Sequence, residues 1–253
     1  MNFYAVRAIY SAELAKVREG FLVSVMAPVL STALYFLVFG AVLGARIAPA
    51  NGVGYGSFIV PGLIMMSLMM QAISSTSFGF YFRRFTGTLS EIQAAPVSNL
   101  ELTLAFVAAS VTKSVIIGVI MLLSATLFVP LKISHPFGVL AFFLVTPVIF
   151  SLIGLILGCC AKSFEPLNAV QLLIVTPLTF LGGSFYPVSA LPDFWQSVSH
   201  LNPIFYLISG MRWCFYGQGD VPIILSAGMS IMFLVLAATG LALVYQRGAL
   251  ISE

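Results

Sequence analysis

Six predominantly apolar runs, at residues 21–45, 57–81, 102–129, 137–160, 167–185 and 221–245, constrain this chain more than any other feature. A helix needs about 20 such residues to cross a bilayer core of about 30 Å, and each run is of that order. The charges between them are too few to clothe a water-soluble fold. Of the 253 residues, 60% are hydrophobic and 8% are charged, where an ordinary soluble domain carries about 25% charged residues. With a mean hydropathy of +1.08, the expected fold is an all-α polytopic membrane protein. It has six transmembrane helices in a single transmembrane domain over residues 1–253. The first run is too long for a signal-peptide core and follows a mixed-charge leader, so it reads as a retained span. The net charge of +3 is not gathered on any water-facing domain, which gives no footing for a nucleic-acid partner.

Six spans put both termini on one side. Cytoplasmic termini place Arg7, Lys16, Arg18, Arg83, Arg84, Lys162 and Arg247 inside and Arg46, Lys132 and Arg212 outside, the orientation that the positive-inside rule favours. In residues 1–20, Phe3, Val6, Tyr10, Leu14, Val17 and Phe21 recur at steps of three and four, with Arg7, Ser11, Lys16 and Arg18 off that stripe. The pattern predicts an N-terminal interfacial helix, serving as a surface anchor or also as a partner contact. Between the second and third runs, Thr88-x-x-Glu91 and Ser98-x-x-Glu101 are successive capping-box patterns. The first predicts a short cytoplasmic helix carrying exposed Leu89 and Ile92 and ended by Pro96, and the second caps the third span. Apolar residues exposed on such a helix want a groove on another protein. Between the last two runs lie an amphipathic piece with Phe194, Trp195, Val198 and Leu201, and an apolar piece from Pro203 to Tyr216. Both are too short to cross, which predicts re-entrant external helices between spans 5 and 6.

The chain carries few chemistry-bearing motifs. No GxxxxGK[ST] phosphate loop, HExxH or GxSxG pattern occurs, so no catalytic residue and no ATP site is assigned to the chain. His135 and His200 fall in external loops without ligands at metal spacing, and Cys159, Cys160 and Cys214 form no disulfide framework or CxxC pair; no metal or bound cofactor is expected. All eight acidic residues lie at or beyond span ends, and no inverted repeat is visible, which argues against an ion-coupled secondary transporter. Lys113 is the one charge within a span. The third run, as a helix of about 42 Å, exceeds the bilayer core by about 12 Å, so Lys113 either snorkels to the surface or, with Ser110 and Ser114, faces a polar pathway or a phosphate-bearing substrate. Gly154-x-x-x-Gly158 permits close helix packing.

The stretch from Pro177 to Trp213, PLTFLGGSFYPVSALPDFWQSVSHLNPIFYLISGMRW, resembles the signature of the ABC-2 family of transporter permeases, with Gly182-Gly183, Leu191-Pro192, Asn202-Pro203 and Arg212 at the pattern's positions. The loop FRRFTGTLSEIQAAPVSNLE resembles that family's cytoplasmic coupling-helix region. The likeness is to small bacterial six-span inner-membrane permeases. It implies a permease half that pairs with a second copy, as a homodimer or with a paralogue, and is driven by two ABC ATP-binding subunits in which ATP and Mg are bound. Gly87, Thr88, Leu89, Glu91 and Ile92 would then couple to the ATPase, and the external region with Trp195, Asn202, Pro203 and Arg212 would cap the exit. Export of a glycan, a lipid-linked molecule or a hydrophobic small molecule is implied. A secondary transporter and a non-transporting membrane scaffold are the alternatives.

Overall fold

The computed structural model describes residues 2–19 and 53–247, with isolated positions between 26 and 38. The expected first span, 21–45, and Arg46 otherwise lie outside the described residues. The described chain is helical: α1 (Phe3–Glu19), α2 (Tyr55–Phe85), α3 (Thr88–Ala94), α4 (Asn99–Thr126), α5 (Pro136–Cys160), α6 (Glu165–Leu181), α7 (Asp193–Leu201), α8 (Pro203–Tyr216) and α9 (Ile223–Gln246). Among the described residues, α2, α4, α5 and α9 are the four helices long and apolar enough to cross a membrane.

The fifth run differs from its expected 167–185. Its helix has 17 residues, about 25 Å, short of a 30 Å core. Its middle, Gln171–Val175, is a π-turn. Pro177 has no amide to donate to the Leu173 carbonyl four residues back, and the Thr176 amide reaches five residues back to the Gln171 carbonyl, to which the Thr176 hydroxyl also donates at 3.0 Å.

The core is built on α2, and α5 packs on it through the glycine pair. A Cβ at Gly154 would lie 2.8 Å from the Ile73 carbonyl oxygen, and one at Gly158 would lie 3.0 Å from that of Ser77. Only glycine lets the two backbones approach this closely. The Gly154-x-x-x-Gly158 pattern is therefore a packing seam.

The connections gather at two ends of the bundle. At one, Arg84 donates to the Cys159 carbonyl at 2.6 Å, the Tyr81 hydroxyl to that of Lys162 at 2.9 Å, and Thr103 and Tyr245 share a hydrogen bond of 2.9 Å. At the other, the Tyr55 hydroxyl donates to the Phe185 carbonyl and that of Ser57 to the Pro130 carbonyl, both at 2.9 Å. Helices α2, α4 and α5 run alternately between these ends, α6 carries the chain back toward the Tyr55 end, and α9 returns it to the Arg84 end.

The N-terminal helix forms as its periodicity predicts, but its buried residue is Ile9, while Phe3 at the start of the expected stripe is 68% exposed. It runs beside the first turns of α4. The Asn2 amide donates to Glu101, and Tyr10 and Thr112 share a hydrogen bond of 3.1 Å. Beyond that point Glu13 crosses to α2 and pairs with Arg83, the Arg83 Nε donating at 2.8 Å.

Candidate functional site

Helix α2 is buried along its length except on one face. Met66, Ser67, Met70, Gln71, Ser74, Ser75, Phe78 and Gly79 are half-buried, and the residues between them are buried. Pairs spaced by four hold one line along a 3.6-residue helix. That line carries Ser67, Gln71, Ser74 and Ser75, a concentration of polar groups on a helix that otherwise buries apolar side chains.

Two clefts lie along this face and share Gln71 and Ser74. One, of about 310 Å³, is bordered by Tyr35, Leu63, Met66, Ser67, Met70 and Ile117. The other, of about 280 Å³, is bordered by Glu13, Ser75, Phe78, Gly79 and Lys113. Together they follow α2 from Leu63 to Gly79, about 24 Å at 1.5 Å per residue. The Ser74 hydroxyl, which lines both clefts, donates to Gln171 Oε1 at 2.6 Å. The π-turn of α6 thus stands where a polar side chain meets the groove, a common location for such turns.

Lys113, Ser110 and Ser114 do not form one site. The Ser110 hydroxyl is buried, donating to the Ala72 carbonyl at 3.3 Å and accepting from Ser151 at 2.8 Å. Ser114 is buried with its hydroxyl unpartnered among the described residues. Lys113 borders the lower cleft, with Glu13 across from it. Of the three, only Lys113 is available to a ligand.

A third cavity, of about 270 Å³, lies at the opposite end of the bundle and is lined by Phe58, Gln196, His200, Arg212, Tyr216 and Asp220 among others. Arg212, on α8, is 3% exposed. It pairs with Asp220, donates to the Gly183 carbonyl, and lies over the Phe58 ring with 4.0 Å from Cζ to the ring centre. Burial lowers its pKa from the ordinary value, and Asp220 acts in the opposite sense. Asp220 Oδ1 also accepts from the Val188 amide at 3.3 Å, so the pair ties α8 to the turns on both sides of it.

The two external pieces are helices, as expected. Asn202 joins them: its side chain accepts from the Ile204 amide at 3.0 Å and donates to the Leu178 carbonyl at 2.6 Å, capping α8 and fastening it to α6. Pro203 occupies the first helical position, where no amide is missed. Most of α8 is buried. Trp195 on α7 is 47% exposed, with Phe194 against its edge.

The short helix in the 82–101 connection also forms, with two corrections. Its N-cap is Gly87 in the left-handed region (φ 77°), and Thr88 makes no cap hydrogen bond, so the first capping box is not made. The second is made in full. The Ser98 hydroxyl accepts from the Glu101 amide at 3.3 Å, and the Ser98 amide donates to Glu101 Oε2 at 2.8 Å. The second correction concerns Leu89, expected to be exposed. It is 3% exposed, and with half-buried Ile92 it packs into the core. The outward face of α3 carries Ser90 and Glu91, flanked by exposed Phe82, Phe85 and Leu100.

Sequence reading missed Ser67, Gln71, Ser74 and Ser75 as a group, and Glu13 and Gln171 as their neighbours. The signal was present: in SLMMQAISS the polar residues fall at helical spacing on one face of an apolar run.

A helical bundle with four helices long and apolar enough to cross a membrane, among the described residues, defines a multi-pass membrane protein. Residues 4–216 match the ABC-2 type transporter family. The chain is 36% identical over 237 residues to the inner membrane transport permease YadH of Escherichia coli strain K12, covering 93% of each chain. It is also similar to nodulation protein J of Sinorhizobium fredii, 28% identical with 72% of this chain and 69% of that one covered. The same-named protein of Rhizobium leguminosarum bv. viciae is 25% identical, with 86% and 85% covered. The chain belongs to the ABC-2 type transporter family, as a transport permease.

Proposed function

We propose that this chain is the membrane-spanning permease subunit of an ATP-driven exporter in the bacterial inner membrane, with both termini cytoplasmic. Two permease chains, identical copies or paralogues, form the pathway, and two separate ABC ATP-binding subunits hold ATP and Mg. The observation that carries the reading is the half-open polar face of α2, a groove along a membrane-crossing helix that lipid cannot satisfy. A second permease facing it would turn the groove into an enclosed path. The likeness to a permease of the inner membrane supports the location.

Coupling on this reading runs through α3. Its outward face, with Glu91 and Ser90, meets the ATPase, while Leu89 and Ile92 root it in the core beside α2. A rigid link of this kind passes a displacement of α3 to the bundle, as rigid-body gating requires. The buried Leu89 is thus a transmission residue, and docking belongs to its neighbours. Helices α7 and α8 cap the outer end, with Arg212 and Asp220 as their clamp. The cargo is a glycan, a lipid-linked molecule or a hydrophobic small molecule.

The test is mild solubilisation of the tagged chain from its native membrane, followed by mass spectrometry of what co-purifies and in what ratio. One nucleotide-binding protein per permease is the expected result. Recovery of the chain alone, under conditions where a known ABC complex survives, would overturn the reading.

A further inference from the structure

The lower cleft combines features that the permease reading does not use. Lys113 is a cation on a membrane-crossing helix, where charge is retained against a solvation penalty. Among the described residues it has no hydrogen bond or ion pair. The acid that borders the same cleft, Glu13, is engaged by Arg83, whose Nε and Nη2 both donate to Glu13 Oε1. The Glu13 carboxylate is thus already engaged by a cation other than Lys113, and Lys113 is the positive group that lines the cleft.

Around that charge stand hydrogen-bonding groups without protein partners. The Ser75 hydroxyl and the Gln71 amide line the cleft and make no hydrogen bond among the described residues. Ser74, whose hydroxyl donates to Gln171, has its hydrogen committed and adds no donor. An ammonium offers three donors, and the hydroxyl and amide add more from the α2 side. Donors spread over two walls, around a point charge rather than a planar fork, suit a tetrahedral oxyanion better than a flat carboxylate. The volume of about 280 Å³ admits a phosphoryl group with part of the molecule that carries it.

We propose that Lys113, Ser75 and Gln71 form a binding site for a phosphoryl group, with Glu13, engaged by Arg83, as a counter-charge. As a substrate site it deepens the permease reading and rests on it, naming the cargo as a phosphate-bearing molecule. As a binding site it is tested without transport. The acid and the base that line the cleft predict opposite signs. Removing Lys113's charge weakens binding. Removing Glu13's charge strengthens it, because a carboxylate across the cleft repels the ligand.

The experiment uses the purified full chain in phosphatidylcholine nanodiscs. One arm titrates inorganic phosphate, read by phosphorus NMR line broadening. The other exchanges in phosphatidic acid and reads retained lipid by native mass spectrometry. Lys113→Gln is expected to weaken phosphoryl binding by about tenfold or more, as loss of a charge-assisted contact does. Lys113→Arg should restore most of it, and Glu13→Gln should raise it. Binding in both arms identifies the phosphoryl group as sufficient, and binding of phosphatidic acid alone identifies a lipid-borne phosphate. Absence of binding in both arms, or binding that Lys113→Gln leaves unchanged, overturns the proposal. Failure here with an ATPase still co-purifying would leave the permease reading standing.

Discussion

Two buried or half-buried cations, Arg212 near one end of the bundle and Lys113 toward the other, are treated in opposite ways. Arg212 is enclosed by an ion pair, a backbone carbonyl and an aromatic face, and ties α8 to Gly183, Phe58 and Asp220. Lys113 borders a cleft with no direct partner among the described residues. A charge whose contacts are filled by its own chain stabilises one arrangement. A charge whose contacts are empty is available to something else.

The comparison breaks most readily through substitutions read as stability, and the largest effect should come from Arg212. Arg212→Met strands Asp220, and breaking such a pair costs about 3–5 kcal/mol; a thermal unfolding scan in detergent should show a large loss. A melting point near that of the parent would mean the pair is not the clamp described here. Leu89→Asp should follow, at about 2–4 kcal/mol, because it places a carboxylate in the core that Leu89 occupies. Its partner experiment is Glu91→Arg, which should leave the melting point in place and lose the ATPase on co-purification. Equal stability for these two variants would remove the division between the rooted and the outward face of α3.

Smaller effects sharpen the contrast. Ser98→Ala removes the capping hydroxyl of α4 and should cost about 1 kcal/mol in the same scan. Lys113→Met should change stability least, within about 0.5 kcal/mol, since no direct contact is lost. A loss as large as that of Arg212→Met would make Lys113 a structural residue and end the contrast.

How much was legible in the sequence follows the same division. The helices over 55–85, 99–126, 136–160 and 223–246 were read from apolar run length, and the pieces at 193–201 and 203–216 from being too short to cross. Such features depend on local pattern alone. The π-turn in α6 was not read, because it combines Pro177, which lacks an amide, with an amide and a hydroxyl of Thr176 that both donate to the Gln171 carbonyl. Thr88-x-x-Glu91 misled, since Gly87 in the left-handed region takes the cap position in its place. Leu89 was given to the wrong side of α3, because periodicity says which residues share a face and not which neighbour the face meets. The groove escaped for a related reason. Serines in an apolar run are ordinary one by one, and only the burial of the rest of α2 picks out Ser67, Gln71, Ser74 and Ser75. The approach of Glu13 to Lys113 joins residues 100 positions apart, which no local pattern reports.

The central claim is that one face of α2 is open to water within a membrane-crossing helix. Its most direct test is single-cysteine accessibility in membrane vesicles, in a background lacking Cys159, Cys160 and Cys214. Cysteines placed one at a time from Ser67 to Ser75 are exposed to a charged, membrane-impermeant thiol reagent from each side. The account predicts reaction at Ser67, Gln71, Ser74 and Ser75 and none at Leu68, Met69, Ala72 or Ile73. Uniform labelling, or none at the four polar positions from either side, would contradict it.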